Sequence, residues 1–329
     1  MTKVHLFASI LLILFCPFLL LAGEFPEYPC YKLTEEPRLD GKMEENVWSS
    51  IPSATGFLIF PRGDYVISKQ TEFKAGWTDQ ALYFAIRADE TEPEKMMANA
   101  SDGDVHICSE DSIEIFLHPQ QLDYFFQFMV NTIGHKWNGI HSVGFGVLPT
   151  PPVWNWETKT YVGKDFWSLK LKIPFSISGI PEGEETWRVG IARNILTGPA
   201  VERYTTWTPV KGGFGDFKRF GLFVFKSKTL SPGEAREMEK RLNWPKKRIE
   251  ETAGLYPQFK KTVEESSGLK SQEEKVLLLK RDWESIEEIA REKTPSREKI
   301  SAGFQKTAAI LERTIELKTM KEMSDLLGE

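Results

Sequence analysis

The chain has 329 residues, with 42 Lys plus Arg set against 47 Asp plus Glu and a formal net charge of -5. A mildly acidic chain carries no basic footprint for nucleic acid, so nucleic-acid partners are excluded. The length suffices for one large domain and a smaller unit.

The N-terminus has the order of a secretory signal: Lys3, an almost wholly apolar run over 6–22, the small pair Ala22 and Gly23, then Glu24. Cleavage after residue 23 would leave a secreted or periplasmic protein, while a retained N-terminal anchor is the other reading of the same run. No second apolar stretch approaches membrane length, so no membrane contact is expected once residues 1–23 are removed. Two cysteines remain beyond the signal. An oxidising compartment favours a Cys30–Cys108 disulfide, against the alternative of two buried thiols.

From about residue 55 to 226 the pattern has period two and is rich in β-branched and aromatic residues, which predicts strands. Phe73, Ala75 and Trp77 lead through a TDQ turn to Leu82, Phe84, Ile86 and Ala88, which reads as a hairpin. Ile113, Ile115 and Leu117 alternate with Ser112, Glu114 and Phe116, and the segment 124–131 alternates likewise. A second hairpin turns at Gly163-Lys164-Asp165, and strands over 187–194 and 220–225 close the set. Many short strands without helical patterns between them predict an antiparallel β-sandwich, of jelly-roll type, over residues 24–229.

At residue 231 the period becomes 3.6. Ser231-Pro232-Gly233-Glu234 reads as a capping box with Pro in the first turn, and Pro245 must kink or end that helix. Ser271 with Glu274 is a second capping box, followed by a stripe at Val276, Leu279, Trp283, Ile286 and Ala290. Thr294-Pro295 restarts a third helix with a stripe at Ile300, Phe304, Ala308, Leu311 and Ile315. Residues 230–329 are thus expected to form a helical tail of about three amphipathic helices. The tail either packs on itself or the sandwich, or serves self-association or a protein partner.

Several segments in this order resemble the family 9 carbohydrate-binding modules. Asp40-Gly41 with Trp48 is similar to the family's opening element, and 73–89 to its W-D-x-x-L-Y hairpin. DSIEIFL (111–117) is similar to its acidic strand, QFMVN (127–131) to the partner strand, and Trp167 to Pro174 to a later one. Trp207-Thr208-Pro209 and Phe220-Gly221 resemble the closing element, so the likeness covers about residues 30–226. It implies a non-catalytic β-sandwich that binds mono- or oligosaccharides and accompanies polysaccharide degradation or uptake. Carried over, the family's sugar-binding Glu falls on Glu114 and one Trp on Phe214. The other Trp falls on Cys108, the Arg on Met129, the Gln on Ala192 and the Asn near Lys211. Aromatic platforms from Trp137, Trp154 and Trp156 could compensate for the lost groups, since ring faces stack on sugar C–H faces. Trp48, Trp77, Trp167, Trp187 and Trp207 are expected in the core.

Enzymatic chemistry finds little foothold. Glu110, Asp111 and Glu114 read as a solvated face or a calcium ligand set, calcium being the one cofactor kept open. His106, His118, His135 and His141 lack zinc spacing, and Lys211-Gly212-Gly213-Phe214-Gly215 has the wrong context for a phosphate loop. Two further readings stand beside sugar binding. In one, a sandwich without ligand serves as a surface scaffold assembled by its tail. In the other, the sandwich holds haem through Met129 with His106, His118 or Lys211.

Overall fold

The structure, a computed structural model, describes residues 25–327 apart from 45, 67, 143–145, 149–153, 180–184, 256 and 258–272. The expected signal peptide and the Ser271 capping box lie outside the described residues. The chain divides into two compact units. One comprises Phe25–Lys247 with Ser296–Ser301, and the other takes in Arg248–Pro295 and Ala302–Glu329.

The described residues of the first unit form fourteen strands: β1 (Glu27–Lys32), β2 (Leu58–Ile59), β3 (Asp64–Tyr65), β4 (Thr71–Trp77), β5 (Ala81–Asp89), β6 (Ser112–Pro119), β7 (Tyr124–Asn131), β8 (Lys136–Ser142), β9 (Gly146–Leu148), β10 (Glu157–Val162), β11 (Phe166–Pro174), β12 (Thr186–Asn194), β13 (Tyr204–Thr206) and β14 (Gly221–Lys226). Hydrogen bonding runs in the order β10-β11-β5-β4-β1-β14-β12-β6-β7-β8-β9, with β13 beside β12 and β2. The β1–β14 and β1–β4 pairs are parallel and the other pairs antiparallel. This path folds into two layers at the β1–β14 pair. Phe84 of β5 lies 5.8 Å from Phe223 of β14, and Phe73 of β4 lies 4.9 Å from Trp207, so rings of the two layers face each other.

The alternation read from the sequence places the core. Phe73, Ala75, Phe84, Ile86, Ile113, Ile115, Leu117, Phe126, Phe128, Leu169 and Leu171 share one buried cluster. Trp48, Trp77, Trp167, Trp187 and Trp207 are all buried as expected. Burying each large apolar side chain contributes about 1.5–3 kcal/mol. Cys30 is wholly buried in this cluster and both cysteines are free, so the expected disulfide is absent. Cys108 belongs to a different cluster, on the outer side of the second layer, and the sheet itself separates the two thiols.

The opening Asp40-Gly41 element is structural. Gly41 adopts φ +77°, and a Cβ there would sit 2.5 Å from the Thr160 carbonyl carbon. Asp40 accepts from the Lys42 N–H at 2.9 Å and pairs with the buried Lys170 at 3.0 Å. Trp48, Val47 and Ile51 then cover Tyr83 and Ala85 on the outer face of the first layer. One helix of the predicted tail joins this cover. The helix α2 (Pro232–Glu239), which follows the single-turn α1 (Phe175–Ser178), starts with the expected capping box and buries Ala235 in the same cluster. It ends before Pro245, which instead lies in the first turn of α3 (Trp244–Gly254).

The second unit holds α4 (Glu273–Arg291) and, from Ala302 on, α5 (Arg297–Leu327), which run antiparallel. Asp282 pairs with Arg313 at 2.9 Å and Lys275 with Glu316 at 2.7 Å. Val276, Leu279, Trp283 and Ile286 are buried as expected, and Ile289 replaces Ala290 as the last fully buried position. On α5 the described buried positions include Ile300, which belongs to the expected stripe, and Gly303, Thr307, Ile310, Thr314 and Leu317. A Cβ on Gly303 would lie 2.9 Å from the Ile289 side chain and 3.0 Å from Ile249, so the backbone approaches both closely there. The side chains of Ala308, Leu311 and Ile315 lie outside the described residues.

Candidate functional site

The strands of the second layer have two faces. Their inward residues fill the core, and the opposite parity of β12, β6, β7 and β8 builds a second surface. Strand register sets Ala192 beside Glu114, Glu114 beside Met129, and Met129 beside Trp137 in one row. The next row carries Phe116 and Gln127, and the row at the other side carries Asn194, Ser112 and Asn131. This face is covered too. Phe116, Phe125, Ala192, Val210 and Phe220 form an apolar floor, against which Phe60, Phe214 and Phe217 pack.

Where that cover stops, an open pocket of about 260 Å³ is lined by Phe60, Cys108, Glu114, Asn194, Tyr204 and Phe214. Phe214 stands edge-on to Phe60 at 5.4 Å and to Tyr204 at 6.1 Å between ring centroids. The loop bearing Phe214 is tied by Asp216, which accepts from the Lys211 backbone N–H at 3.2 Å and pairs with Arg219 at 3.3 Å. Phe60 is fixed through its N–H, donated to the Tyr204 carbonyl at 2.8 Å.

Glu114 is only 3% exposed. Its Oε2 accepts from Gln127 Nε2 at 2.7 Å, and its Oε1 from Asn194 Nδ2 at 2.8 Å. Asn194 Nδ2 also donates to Ser112 Oγ at 3.0 Å, and Gln127 Oε1 meets His141 Nε2 at 2.5 Å. Burial pushes the Glu114 carboxyl up to about 7 against the pull of the two amide hydrogen bonds. His141, stacked flat on Phe125 at 4.9 Å, is lowered by burial. The Cys108 thiol is raised by burial and by the Glu114 charge, opposite to the activation a nucleophile needs.

The structure therefore brings Glu114 and Phe214 together, as the sequence suggested, with Cys108 in the same pocket and Met129 and Ala192 flanking Glu114. It separates the other candidates. The Lys211 side chain is exposed and outside the pocket lining. Trp156 is fully buried against Phe128, with its Nε1 donating to Asn138 Oδ1 at 3.0 Å, and offers no face to a ligand. Trp154 packs on Phe126 and Phe128 at the core edge. Trp137 lies across Gly139, where a Cβ would stand 2.2 Å from its ring, and packs with Cys108 on Ala100, Ile107 and Met129. It borders the pocket without lining it. Phe60, Tyr204 and Asn194 were missed. Asn194 shares strand parity with Ala192 and could have been found by alternation, whereas the two aromatics come from short edge segments without a signal.

Glu110 and Asp111 are not a solvated face. Glu110 accepts from the Ala100 N–H at 2.6 Å and from Asn131 Nδ2 at 3.0 Å; Asp111 accepts from the Met97 and Leu196 N–H groups at 2.8 and 2.9 Å. Both anchor the loops beside the pocket. Among the described residues no group of three or more His, Cys, Asp or Glu is placed to hold a metal ion. Met129 is buried at 1%, while His106 is exposed and paired with Asp104 at 2.7 Å, and the His118 ring contacts the Leu122 carbonyl at 2.9 Å. Haem ligation through these groups has no support in their placement.

No protein-family model and no curated protein matches the sequence. Among solved structures, the chain is similar to a family 9 carbohydrate-binding module from Caldicellulosiruptor kristjanssonii. In complex with cellotriose, the match has 15% identity over 61% of this chain and 94% of that one, at a TM-score of 0.46. In complex with glucose, it has 17% identity over 61% and 96%, at a TM-score of 0.46. A Bacteroides uniformis protein matches with 15% identity over 62% of this chain and 100% of that one, at a TM-score of 0.48. These likenesses assign no residue of this chain a role.

Proposed function

We propose that the β-domain binds a carbohydrate without transforming it, in the pocket at Glu114. The observation that carries this reading is the joining of three ring-bearing walls, Phe60, Phe214 and Tyr204, to a buried carboxylate held by two amides. Rings receive the C–H face of a pyranose, and the carboxylate and Asn194 take its hydroxyls. The volume suits a single sugar residue or the end of a chain, near the lower range of ligand pockets. Glycoside hydrolysis calls for two carboxyl groups at a set separation, and the pocket lining includes one. Export through the N-terminal segment and service to polysaccharide use belong to the same proposal.

Calorimetry of the purified protein against mono- and oligosaccharides tests the reading. Saturable binding is expected, weakened a few-fold to a few hundred-fold by Phe214→Ala, with thermal unfolding little changed. Sugar affinity indifferent to Phe214→Ala would remove the site from this pocket.

A further inference from the structure

The Glu114 network has a direction. Gln127 Oε1 faces His141 Nε2, so its amide nitrogen is left to donate to Glu114. Asn194 spends one N–H on Ser112 Oγ and the other on Glu114. Both neighbours are therefore wired as donors, the arrangement that suits a carboxylate and offers nothing to a carboxylic acid's proton. Yet Glu114 is buried, its partners are neutral, and among the described residues no Lys, Arg or His forms an ion pair with it. A buried carboxylate without a counter-charge is costly unless a cation arrives. Each of its oxygens takes one of these amide hydrogen bonds and has acceptor capacity for another, and Glu114 lines the pocket.

The walls are suited to the same cation. Phe60, Phe214 and Tyr204 line the pocket, and an aromatic ring attracts an ammonium group over its face and repels an anion. Two cations lie nearby without lining the pocket: the Arg203 guanidinium stands over the Tyr204 ring at 6.0 Å from its centre, and the Lys211 side chain is exposed. The remaining polar groups of the lining are the Cys108 thiol, the Tyr204 hydroxyl and the Asn194 amide, none of them a cation.

We propose that the pocket selects a sugar bearing a protonated amine over the neutral sugar of the same stereochemistry, seating the ammonium between the Glu114 carboxylate and the three rings. This inference rests on the carbohydrate reading above and sharpens it to basic amino sugars. A charge-assisted hydrogen bond, roughly twice as strong as a neutral one, supplies the preference.

Calorimetry at pH 7 on the purified full chain tests it with the glucose, galactose and mannose series. Each is offered as parent sugar, free 2-amino sugar and N-acetyl derivative, with choline as a sugar-free cation. One free amino sugar is expected to bind about tenfold or more tighter than its parent and its N-acetyl form. Glu114→Gln should bring it down to the level of the parent sugar, and the wild-type ranking stands as evidence even if that variant does not fold. Equal binding of amine and parent overturns the inference and leaves the carbohydrate reading intact. Choline binding with no sugar binding overturns both in favour of a plain ammonium site, and no binding by any probe also overturns both.

Discussion

The two faces of the β12-β6-β7 layer are made by the same strands and are both buried, for opposite reasons. Inward, Ile113, Ile115 and Leu117 meet Phe126, Phe128 and Ile191 in the inter-layer core. Outward, Ser112, Glu114 and Phe116 lie beside Asn131, Met129 and Gln127, with polar groups buried only because each finds a partner. All eight positions of β6 are buried, so burial alone does not separate scaffold from site. What separates them is chemistry: the inward side chains of β6 are apolar, and the outer face organises several polar groups around one carboxylate.

Substitutions should tell the two faces apart. Ile115→Ala, on the inner face, is expected to destabilise the domain by about 2–5 kcal/mol in urea unfolding, by lost burial plus a cavity. Ligand affinity of the folded fraction should be unchanged, and loss of affinity at full folding would blur the distinction.

The outer face should show itself through pH. Folding raises the Glu114 carboxyl from 4.5 to about 7, so over that window the folded state holds a proton that the unfolded chain has released. Stability contributed by this group falls as pH rises from about 4.5 to 7, and levels off above. The difference amounts to about 3 kcal/mol at one pKa unit per 1.36 kcal/mol. Comparing urea midpoints of wild type and Glu114→Gln at pH 5 and pH 8 isolates it. Relative stability should move in favour of the Gln variant by roughly 2–3 kcal/mol at the higher pH. A pH-independent difference would mean that Glu114 is not the buried titrating group.

The smallest effect is expected at Lys211. Its side chain is exposed and its part in the loop is a backbone N–H donated to Asp216. Lys211→Ala should leave stability within ~0.5 kcal/mol and sugar affinity within about twofold. A larger drop in affinity would restore Lys211 to the site and extend the pocket beyond its six lining residues.

Much of this molecule was determined by the sequence alone. Period-two alternation assigned β4 to β7, β10 to β12 and β14 and sorted their residues into two alternating sets, because side chains on a strand must alternate, whereas β1, β2, β3, β8, β9 and β13 carried no such signal. The capping box at Ser231 announced α2, since its two reciprocal hydrogen bonds are local. Local signals fail where distant segments decide. Cys30 and Cys108 were paired on compartment and parity of number, and the sheet holds them apart. Arg193 follows Ile191 on the inward parity of β12. It is tolerated there because Glu90, 3.5 Å away and itself paired with Lys69 at 2.6 Å, arrives from another strand end. Trp154 and Trp156 sit in a Pro-rich segment that gives no period, and packing against Phe126 and Phe128 draws both to the core. The pocket itself joins Phe60, Glu114, Tyr204 and Phe214 across more than one hundred and fifty positions. Strand periodicity states which side a residue takes; only tertiary packing decides which residues from far along the chain stand opposite it, and whether a buried carboxylate there is left without a counter-charge.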